Sequence, residues 1–364
     1  MCCIIQQVKK LELNEGKCYG IVVNGKKNDT FPNLYVNNKK VKVEKSVKYL
    51  GDIINTKNNN EDMLKEKGQK ATHKLISIFA TVNEITFGAF QYDALLLLYH
   101  SFYLPTIIFN CQSWTNLSSK DIMKLRTIQL KFLKKLLRVP QSTSNCFVYL
   151  ETGLLPIEHE IYRRQFSFLH HILKLSDDDP VRMMYKQMKD LPNEKNWAMK
   201  LEEMKEIYNI HITDDEIQKL SIDNFKKTVK EKIRVCAFQE LKEECSAKEK
   251  TKKLTYNIFK QQSYISNVPP KYMYIIIKMR CSMLNTIHER PYMYPGTKKC
   301  RLCRMGDESL LHIINCYVVS DKLHDINTTI YTDDPDKDYL MEIAMYIERF
   351  LDEEELLEKD TISI

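Results

Sequence analysis

One set of residues has spacing typical of a metal site: Cys300 and Cys303, followed by His312 and Cys316. Cysteines three apart can turn both sulfurs into one knuckle, and residues four apart lie on one face of a helical turn. Gly306 lies between the two pairs and is expected to make a sharp turn. Three thiolates and one imidazole complete a tetrahedral Zn²⁺ site and leave no position for a catalytic water. The sequence therefore predicts a structural zinc site.

Basic residues surround these candidate ligands. Three thiolates and one imidazole leave a zinc site with a net charge of about −1, which neighbouring cations would offset. These cations are Lys298, Lys299, Arg301 and Arg304. The alternative is that the cysteines simply pack in a core, since the chain has 11 of them. Two half-sites with correct internal spacing favour metal binding over that alternative.

The elements that would position this site are mostly helical. Strands are expected at Tyr19–Val23, Leu34–Val36 and Tyr49–Ile54, and after the Asn-rich turn at residues 58–60 the pattern becomes helical. The clearest predicted helices are Glu61–Glu84, Tyr92–Leu104, Ser119–Arg138 and Ile157–Leu175, with Pro105, Pro140 and Pro156 as breakers. The predicted fold class is mainly α, with a small β-rich N-terminal piece and a helical C-terminal region that carries the zinc knuckle.

Five regions follow from this pattern. The run Asp177–Pro180 marks one boundary, and Pro269-Pro270 opens the segment that leads into the cysteine motif. The regions are a β-rich piece at 1–57, helical regions at 58–176 and 177–268, the zinc-knuckle region at 269–330 and an acidic helix or tail at 331–364.

The charge of the chain is unevenly distributed. The net charge is +7, but from Tyr331 onward there are twelve acidic and three basic residues. The last region therefore carries −9 and the preceding residues +16. A basic body indicates a polyanion-binding surface. The acidic end is interpreted as a solvated charged helix, and the alternative is a tail that competes for that surface.

The segment Ser119–Arg138 has the most strongly sorted charge pattern. Its basic side carries Lys120, Lys124, Lys131, Lys135 and Arg138, with Lys134 beside them. Its opposite side carries Leu125, Ile128, Phe132 and Leu136. Ser118 and Asp121 form a capping-box pattern at its start, and Val139-Pro140 ends it. The basic side is either an ordinary solvated face or a surface for phosphate contacts, which position a nucleic acid without reading its sequence.

Cysteine content and hydropathy bear on the location of the protein and on membrane association. Cysteine-rich sequence without a secretory signal indicates a reducing compartment, hence an intracellular protein in the cytoplasm, the nucleus or both. The longest apolar run, Ala94–Phe109, is expected to form a buried helix that ends near Pro105. It falls short of the roughly 20 residues that a membrane span needs, so no membrane partner is expected.

The order of these features resembles the downstream part of a non-LTR (LINE-type) retrotransposon reverse transcriptase. Leu11–Cys18 is similar to motif D of that family, whose lysine, here Lys17, lies near the active site. Val47–Ile54, centred on Tyr49, Leu50 and Gly51, is similar to the strand that grips the primer end. Further matching positions are Lys70, Ala71, Leu98, Tyr99, Pro105, Trp114, Gln129, Phe132, Leu133, Pro140, Ser142, Thr143, Glu151, Gly153, Pro156, Ile157, Arg163, Arg164 and Arg280.

The resemblance covers most of residues 10–175 and 270–320, including the cysteine motif, which is similar to the knuckle at the end of many such reading frames. It implies that residues 1–57 are the end of a polymerase palm, that 58–176 are the helical thumb and that 177–268 are a connector. It also implies RNA or DNA as the partner.

The resemblance also implies two Mg²⁺ ions, held by aspartates from motifs upstream of motif D. Only ten residues precede Leu11, so these motifs have no place in the chain. Tyr331–Asp334 matches Y-x-D-D letter for letter, but it follows the cysteine motif, and Pro335 disfavours a hairpin. We therefore expect an RNA-directed DNA polymerase by resemblance that is inactive as this chain. Lys17 is then vestigial, and Mg²⁺ has a role only if the missing palm is supplied.

The preferred hypothesis is a truncated reverse transcriptase that binds nucleic acid. Its expected contacts are Lys120, Lys124, Lys131, Lys135, Arg138, Tyr49, Leu50 and Gly51. A second hypothesis is a repurposed helical protein-interaction module stapled by zinc, with no nucleic-acid role and with a protein partner that the sequence does not identify. A third is the conceptual translation of a decayed element.

Overall fold

The computed structural model describes residues 18–25, 33–85, 92–114, 117–191, 196–289, 291–293, 298–320 and 328–362, together with residues 14 and 296. Within these ranges the chain is mainly helical, with a few short strands near the N-terminus. The predicted mainly α class with a small β-rich N-terminal piece is confirmed. Lys17 and most of its motif lie outside the described residues.

The strands form three two-stranded pairs. They are β1 (Tyr19–Gly20), β2 (Tyr35–Val36), β3 (Lys39–Lys40), β4 (Lys42–Val43), β5 (Ser46–Tyr49) and β6 (Asp52–Asn55). Strands β1 and β4 pair in parallel, whereas β2 with β3 and β5 with β6 form antiparallel pairs. Pairs this small are only marginally stable by themselves, so they depend on packing against the helices.

The helices follow in chain order. The first six are α1 (Glu61–Ile85), α2 (Tyr92–Leu98), α3 (Leu104–Ile108), α4 (Ser119–Leu136), α5 (Asn145–Thr152) and α6 (Ile157–Lys174). The next five are α7 (Pro180–Asp190), α8 (Trp197–Ile207), α9 (Asp214–Lys219), α10 (Ile222–Ser246) and α11 (Tyr264–Asn267). The last three are α12 (Pro270–Arg280), α13 (Leu310–Ile314) and α14 (Lys337–Ile362). The predicted capping box at the start of α4 is confirmed, because Ser118 and Asp121 cap each other.

The strand expected through Tyr49–Ile54 is wrong at its centre. Leu50 and Gly51 have φ angles of 48° and 93° and form the two-residue turn between β5 and β6. Two positive φ angles are the signature of a type I′ turn, which suits a tight hairpin. The side-chain amide of Asn110 donates to the Leu50 carbonyl at 2.7 Å, so a contact from a distant helix helps to hold an unfavourable leucine conformation.

The expected end of the apolar helix near Pro105 is also wrong. A π-helical segment, Tyr99–Tyr103, joins α2 to α3, and Pro105 lies in the first turn of α3. Proline cannot donate to the carbonyl four residues earlier and clashes with it. The wider π turn, in which the Leu104 N–H bonds to Tyr99, accommodates the proline without breaking the run.

This run is consequently longer than the sequence pattern indicated. Tyr92–Ser113 spans 22 residues and is long and apolar enough, by length and composition alone, to cross a membrane. Several of its side chains nevertheless belong to the core, where Tyr99 and Tyr103 pack against Phe132 of α4 at ring-centroid distances of 5.3 and 4.7 Å. The core helix of a globular protein passes the same length test.

A buried ion pair joins the middle of the chain to its C-terminal region. Glu151 of α5 and Arg280 at the end of α12 are both fully buried, and the Arg280 Nε donates to Glu151 at 3.0 Å. The hydroxyls of Tyr256 and Tyr264 donate to the same carboxylate at 2.7 and 2.5 Å. Arg280 also donates to the carbonyls of Ile330 and Thr332. These residues are called the Glu151–Arg280 cluster. Glu151 and Arg280 are also two of the positions that match the family pattern.

The C-terminal region packs onto the body. Helix α14 buries an apolar face, which consists of Leu340, Ile343, Ala344, Ile347 and Phe350. Asp333 accepts hydrogen bonds from the backbone of Asn257 and Ile258, and Asp334 accepts from Lys260 at 2.8 Å. This bond to Lys260, together with one from Ser263, lowers the pKa of Asp334 to about 2. Both carboxylates of the Y-x-D-D match therefore hold a loop.

Candidate metal centre and nucleic-acid interface

The four predicted metal ligands lie together. One ligand atom from each of Cys300, Cys303, His312 and Cys316 falls within a group whose members are all within 4.8 Å of one another. The Cys303 sulfur lies 3.2 Å from Nε2 of His312. Ligands of a tetrahedral metal bound at about 2.3 Å stand roughly 3.8 Å apart. The cluster is therefore compact enough to hold one metal ion, and its three sulfurs are buried.

The turn that brings the two half-sites together differs from the predicted one in the role of its glycine. Cys300 donates its backbone N–H to the Gly306 carbonyl at 2.7 Å, which closes a turn over the first two ligands. The left-handed residue in this turn is Arg304, with φ of 58°, and not Gly306. A Cβ at position 306 would stand 2.7 Å from Nδ1 of His312. Glycine is thus needed here for the close approach of the imidazole.

The second half-site begins on a short helix. The Ser309 hydroxyl caps α13 by accepting from the backbone N–H of His312. The helix ends at Ile314, so Cys316 lies just beyond it rather than on the same helical face. The backbone turn after α13, in which Ser320 and Val319 donate to the Cys316 carbonyl, returns this cysteine to the cluster.

Arg301 was expected to offset the charge of the metal site, but it has another partner. It binds the fully buried carboxylate of Glu308, with an Nη2 to Oε1 distance of 2.8 Å. Glu308 also accepts from the backbone N–H of Ile287 at 2.9 Å and from that of Arg301 at 3.0 Å. This carboxylate therefore anchors the cysteine turn to the segment that follows α12.

The two thiols of the first half-site differ in acidity. Burial raises the pKa of Cys300 to about 12. Burial also acts on Cys303, but hydrogen bonds from the backbone N–H groups of Met305 and Gly306 outweigh it and lower the pKa of that thiol to about 7. Amide donors directed at sulfur favour the thiolate, which is the form that binds a metal.

The basic side of α4 is exposed, with two differences from the predicted surface. Lys120, Lys124, Lys131 and Lys135 are all exposed. Lys134 is buried and donates to the Gln141 carbonyl at 2.6 Å. Arg138 is exposed but lies beyond the end of α4, in a left-handed conformation, with its guanidinium 4.4 Å from the Tyr274 ring centre. The four exposed lysines are called the α4 lysine face below.

A groove of about 800 Å³ separates the α4 lysine face from the β5–β6 hairpin. Tyr49 and Leu50 line one wall and Lys120 and Lys124 line the other, so the structure brings together two of the predicted contact sets. The side chains of Tyr49 and Leu50 are 63% and 73% exposed. Gly51 instead packs against Phe109, where a Cβ would lie 2.6 Å from the ring.

The hairpin is fixed to the helices by a buried lysine that the sequence did not single out. Lys67 of α1 donates to the Phe109 carbonyl at 2.9 Å and lies 3.3 Å from a carboxylate oxygen of Asp52. Its ammonium is also 4.8 Å from the ring centre of Trp114. Burial lowers the pKa of Lys67, and the neighbouring Asp52 carboxylate opposes that shift. The contacts of Lys67 therefore hold the hairpin wall of the groove in a fixed position.

No protein-family model, curated protein or solved structure matches this chain.

Sequence patterns did not identify several charged residues that hold the fold and the two sites in place. They are Glu151 and Arg280, Glu308, and Lys67. Glu151 and Arg280 were noted only for the family pattern. The sequence nevertheless indicated that these two side chains are buried. Glu151 follows the apolar residues Tyr149 and Leu150, and Arg280 lies shortly after the apolar run Ile275–Ile277. A charge within an apolar run indicates a buried pair, although the pattern does not identify the partner.

Proposed function

We propose that this chain binds nucleic acid through the groove between the β5–β6 hairpin and α4, as the thumb part of a truncated LINE-type reverse transcriptase. The supporting observation is that Lys120 and Lys124 face the exposed Tyr49-Leu50 turn across one groove. Three described carboxylates line that groove: Asp52 is engaged by Lys67 and Asp121 by Ser118, whereas Glu61 is exposed. Lysines there would contact phosphates, and the tyrosine ring would contact a base or sugar at the end of a strand.

Charge neutralisation of the α4 lysine face tests this proposal. Replacing Lys120, Lys124 and Lys131 with glutamine is expected to weaken binding of a short RNA–DNA duplex by at least about tenfold at 0.1 M salt. Losing three phosphate contacts should also reduce the slope of log affinity against log salt by about 3. Fluorescence anisotropy across a salt series measures both quantities.

The matched control removes three exposed lysines that line neither this groove nor the second groove described below, namely Lys219, Lys232 and Lys337. This control should bind the duplex almost as tightly as the unchanged chain. If both triple variants lose the same affinity, the attraction depends only on net charge and the groove has no special role. If neither loses affinity, the α4 lysine face is an ordinary solvated surface.

The metal in the Cys300, Cys303, His312 and Cys316 cluster is proposed to be zinc. Three thiolates and an imidazole form a soft donor set that favours Zn²⁺ over Mg²⁺ or Ca²⁺. All four donors come from the protein, so the ion would support the fold of residues 298–320 and would not activate water.

No polymerase activity is expected from the chain alone. With Mg²⁺, deoxynucleotides and a primed RNA template, nucleotide incorporation should stay at the background of a no-protein control. The reason is that two-metal catalysis requires aspartates at a palm site, whereas the Asp333-Asp334 pair is occupied in holding the loop at residues 257–263. Primer extension in a denaturing gel is the measurement. Extension that depends on Mg²⁺ would contradict the proposal of an inactive fragment.

A second candidate function has separate support. Large apolar side chains around the metal cluster are exposed: Met305 by 73%, Leu311 by 50% and Tyr317 by 69%. Apolar surface of this kind is frequent at protein contacts, so a zinc-stapled protein-interaction module remains the alternative. The duplex titration separates the two candidates, because the alternative predicts no salt-sensitive nucleic-acid binding.

A further inference from the structure

A second groove, called the α6–α10 groove below, has a volume of about 710 Å³. Its lining is rich in basic side chains, namely Arg163, Arg164, His171, Lys226, Lys227 and Lys230. The remaining lining residues are Gln112, Ser167 and Phe168, so no carboxylate is among the described residues that form its walls. A concave surface of one charge sign concentrates field lines and attracts anions.

Among the described residues, most of these cations have no acidic partner. Arg163 pairs with Glu160 at 2.6 Å. Within the described part of the chain, no carboxylate lies within the 4.0 Å ion-pair distance of Arg164, Lys226, Lys227 or Lys230. The three lysines are exposed in the first turns of α10. Their mutual repulsion would be relieved by a bound anion.

The groove also contains an aromatic platform. The exposed imidazole of His171 stacks on Phe168, with ring centres 6.2 Å apart and planes inclined by 22°. Phe168 in turn packs edge-on against Trp197 at 5.8 Å. The Trp197 indole N–H donates to the Gln112 carbonyl at 3.0 Å. Each ring is therefore held by the next, which leaves one face of the imidazole available for a planar ligand.

The walls of the groove are close together. Helices α6 and α10 pack directly, with His170 stacked on Phe225 at 5.5 Å, and His170 Nε2 lies 3.0 Å from the Leu220 carbonyl. The arginines of α6 and the lysines of α10 are therefore carried by two helices in direct contact. A base that stacks on His171 must be unpaired and splayed out, because the bases of a duplex already stack on one another, so the platform favours a single strand.

We propose that the α6–α10 groove binds a single strand of nucleic acid. Phosphates contact Arg164, Lys226, Lys227 and Lys230, and one base stacks on His171. Basic side chains with an adjacent ring are the usual combination for sequence-independent single-strand binding. The aromatic platform favours a nucleic acid over an acidic protein segment. This inference rests on the proposed function in that both sites bind nucleic acid, but it assigns a different strand state to a different surface.

The two grooves are neighbours. The 3₁₀ turn Cys111–Ser113 separates them, since Ser113 lines the hairpin groove and Gln112 lines the α6–α10 groove. The buried amide of Gln165 donates to the carbonyls of Cys111 and Trp114 at 3.0 and 2.8 Å and fixes this turn. A strand that leaves a duplex at the hairpin groove therefore meets the second groove across one turn of chain.

The test uses the full chain with two labelled probes, an unstructured single-stranded oligonucleotide and the RNA–DNA duplex. Replacing Lys226, Lys227 and Lys230 with glutamine should weaken single-strand binding by at least about tenfold at 0.1 M salt and lower the salt slope by about 2. Duplex affinity should change by less than about threefold. The Lys219, Lys232 and Lys337 triple variant is the matched control and should leave single-strand binding unchanged.

Replacement of His171 tests the platform independently of charge. His171→Ala should weaken single-strand binding by about fivefold or more without changing the salt slope, and His171→Phe should restore it. These variants change an exposed side chain, and circular dichroism checks that the fold is kept.

Four other outcomes of these binding experiments would overturn the inference. Unchanged single-strand affinity, equal loss in the control variant, or equal loss for duplex and single strand would each remove the groove as a single-strand site. Competition by polyglutamate that depends on the same three lysines would assign the groove to an acidic protein segment instead. If the duplex still binds through the α4 lysine face in these cases, the inference alone fails. If the unchanged chain binds neither probe, the proposed function fails as well.

Discussion

Replacing Arg280 with methionine is expected to lower the free energy of unfolding by about 3–5 kcal/mol, because it leaves a buried carboxylate without its cation. Glu151 and Arg280 are both 0% exposed, so solvent cannot replace the lost partner. The variant also removes the hydrogen bonds from Arg280 to the carbonyls of Ile330 and Thr332, which weakens the attachment of the C-terminal region to the body. Urea unfolding followed by circular dichroism measures the loss.

Two further variants identify the cause of that loss. In Lys271→Met, on the same helix, an exposed pair with Glu348 is broken, and a loss of less than about 1 kcal/mol is expected. In the double variant Glu151→Leu with Arg280→Met, part of the stability should return, since apolar replacement of a whole buried pair is often close to neutral. A double variant less stable than either single one would show that the tyrosine bonds to Glu151, and not the charge pair, dominate.

Loss of one metal ligand is expected to have the other large effect. Cys303→Ala should reduce bound zinc from one ion per chain to less than about a tenth of that, because a three-ligand remnant does not hold a structural ion tightly. Amide hydrogen exchange across residues 298–320 should then rise steeply, since the short helix α13 and the cysteine turn have little core of their own. Metal analysis and exchange mass spectrometry measure the two effects.

Cys236→Ala is the matched control, because it removes a thiol on α10 far along the chain from the metal cluster. Its metal content and exchange pattern should equal those of the unchanged chain. Purified protein without metal, or exchange protection that a chelator does not alter, would show that the four side chains pack without an ion.

Zinc loss on acidification is a further expectation, because the ligands must be deprotonated to bind.

The fold was predictable where a local rule determines the structure. The Ser118–Asp121 pattern located the start of α4, and its apolar stripe predicted which side is buried. The cluster of three cysteines and one histidine was predictable because its two halves are each short and locally spaced. In these cases the information lies within one or two helical turns of sequence.

Tertiary contacts determined the features that the sequence did not predict. Leu50 adopts a positive φ that leucine disfavours, and the amide that bonds to its carbonyl belongs to Asn110, 60 residues away. Pro105 continues a helix because the π turn before it accommodates the ring. The role of Gly306 depends on His312 approaching its Cα. The periodicity of apolar residues in the sequence does not predict any of these contacts.

The Glu151–Arg280 cluster also constrains how the chain folds during synthesis. Its two charged residues are 129 positions apart, and ribosomes add about 5–20 residues per second. Glu151 therefore leaves the ribosome about 6–26 seconds before its cation does. During that interval α5 has a carboxylate at a position that is later buried, so its final packing must wait for Arg280. The packing of α5 is thus expected to be completed late, when nearly four-fifths of the chain has been made.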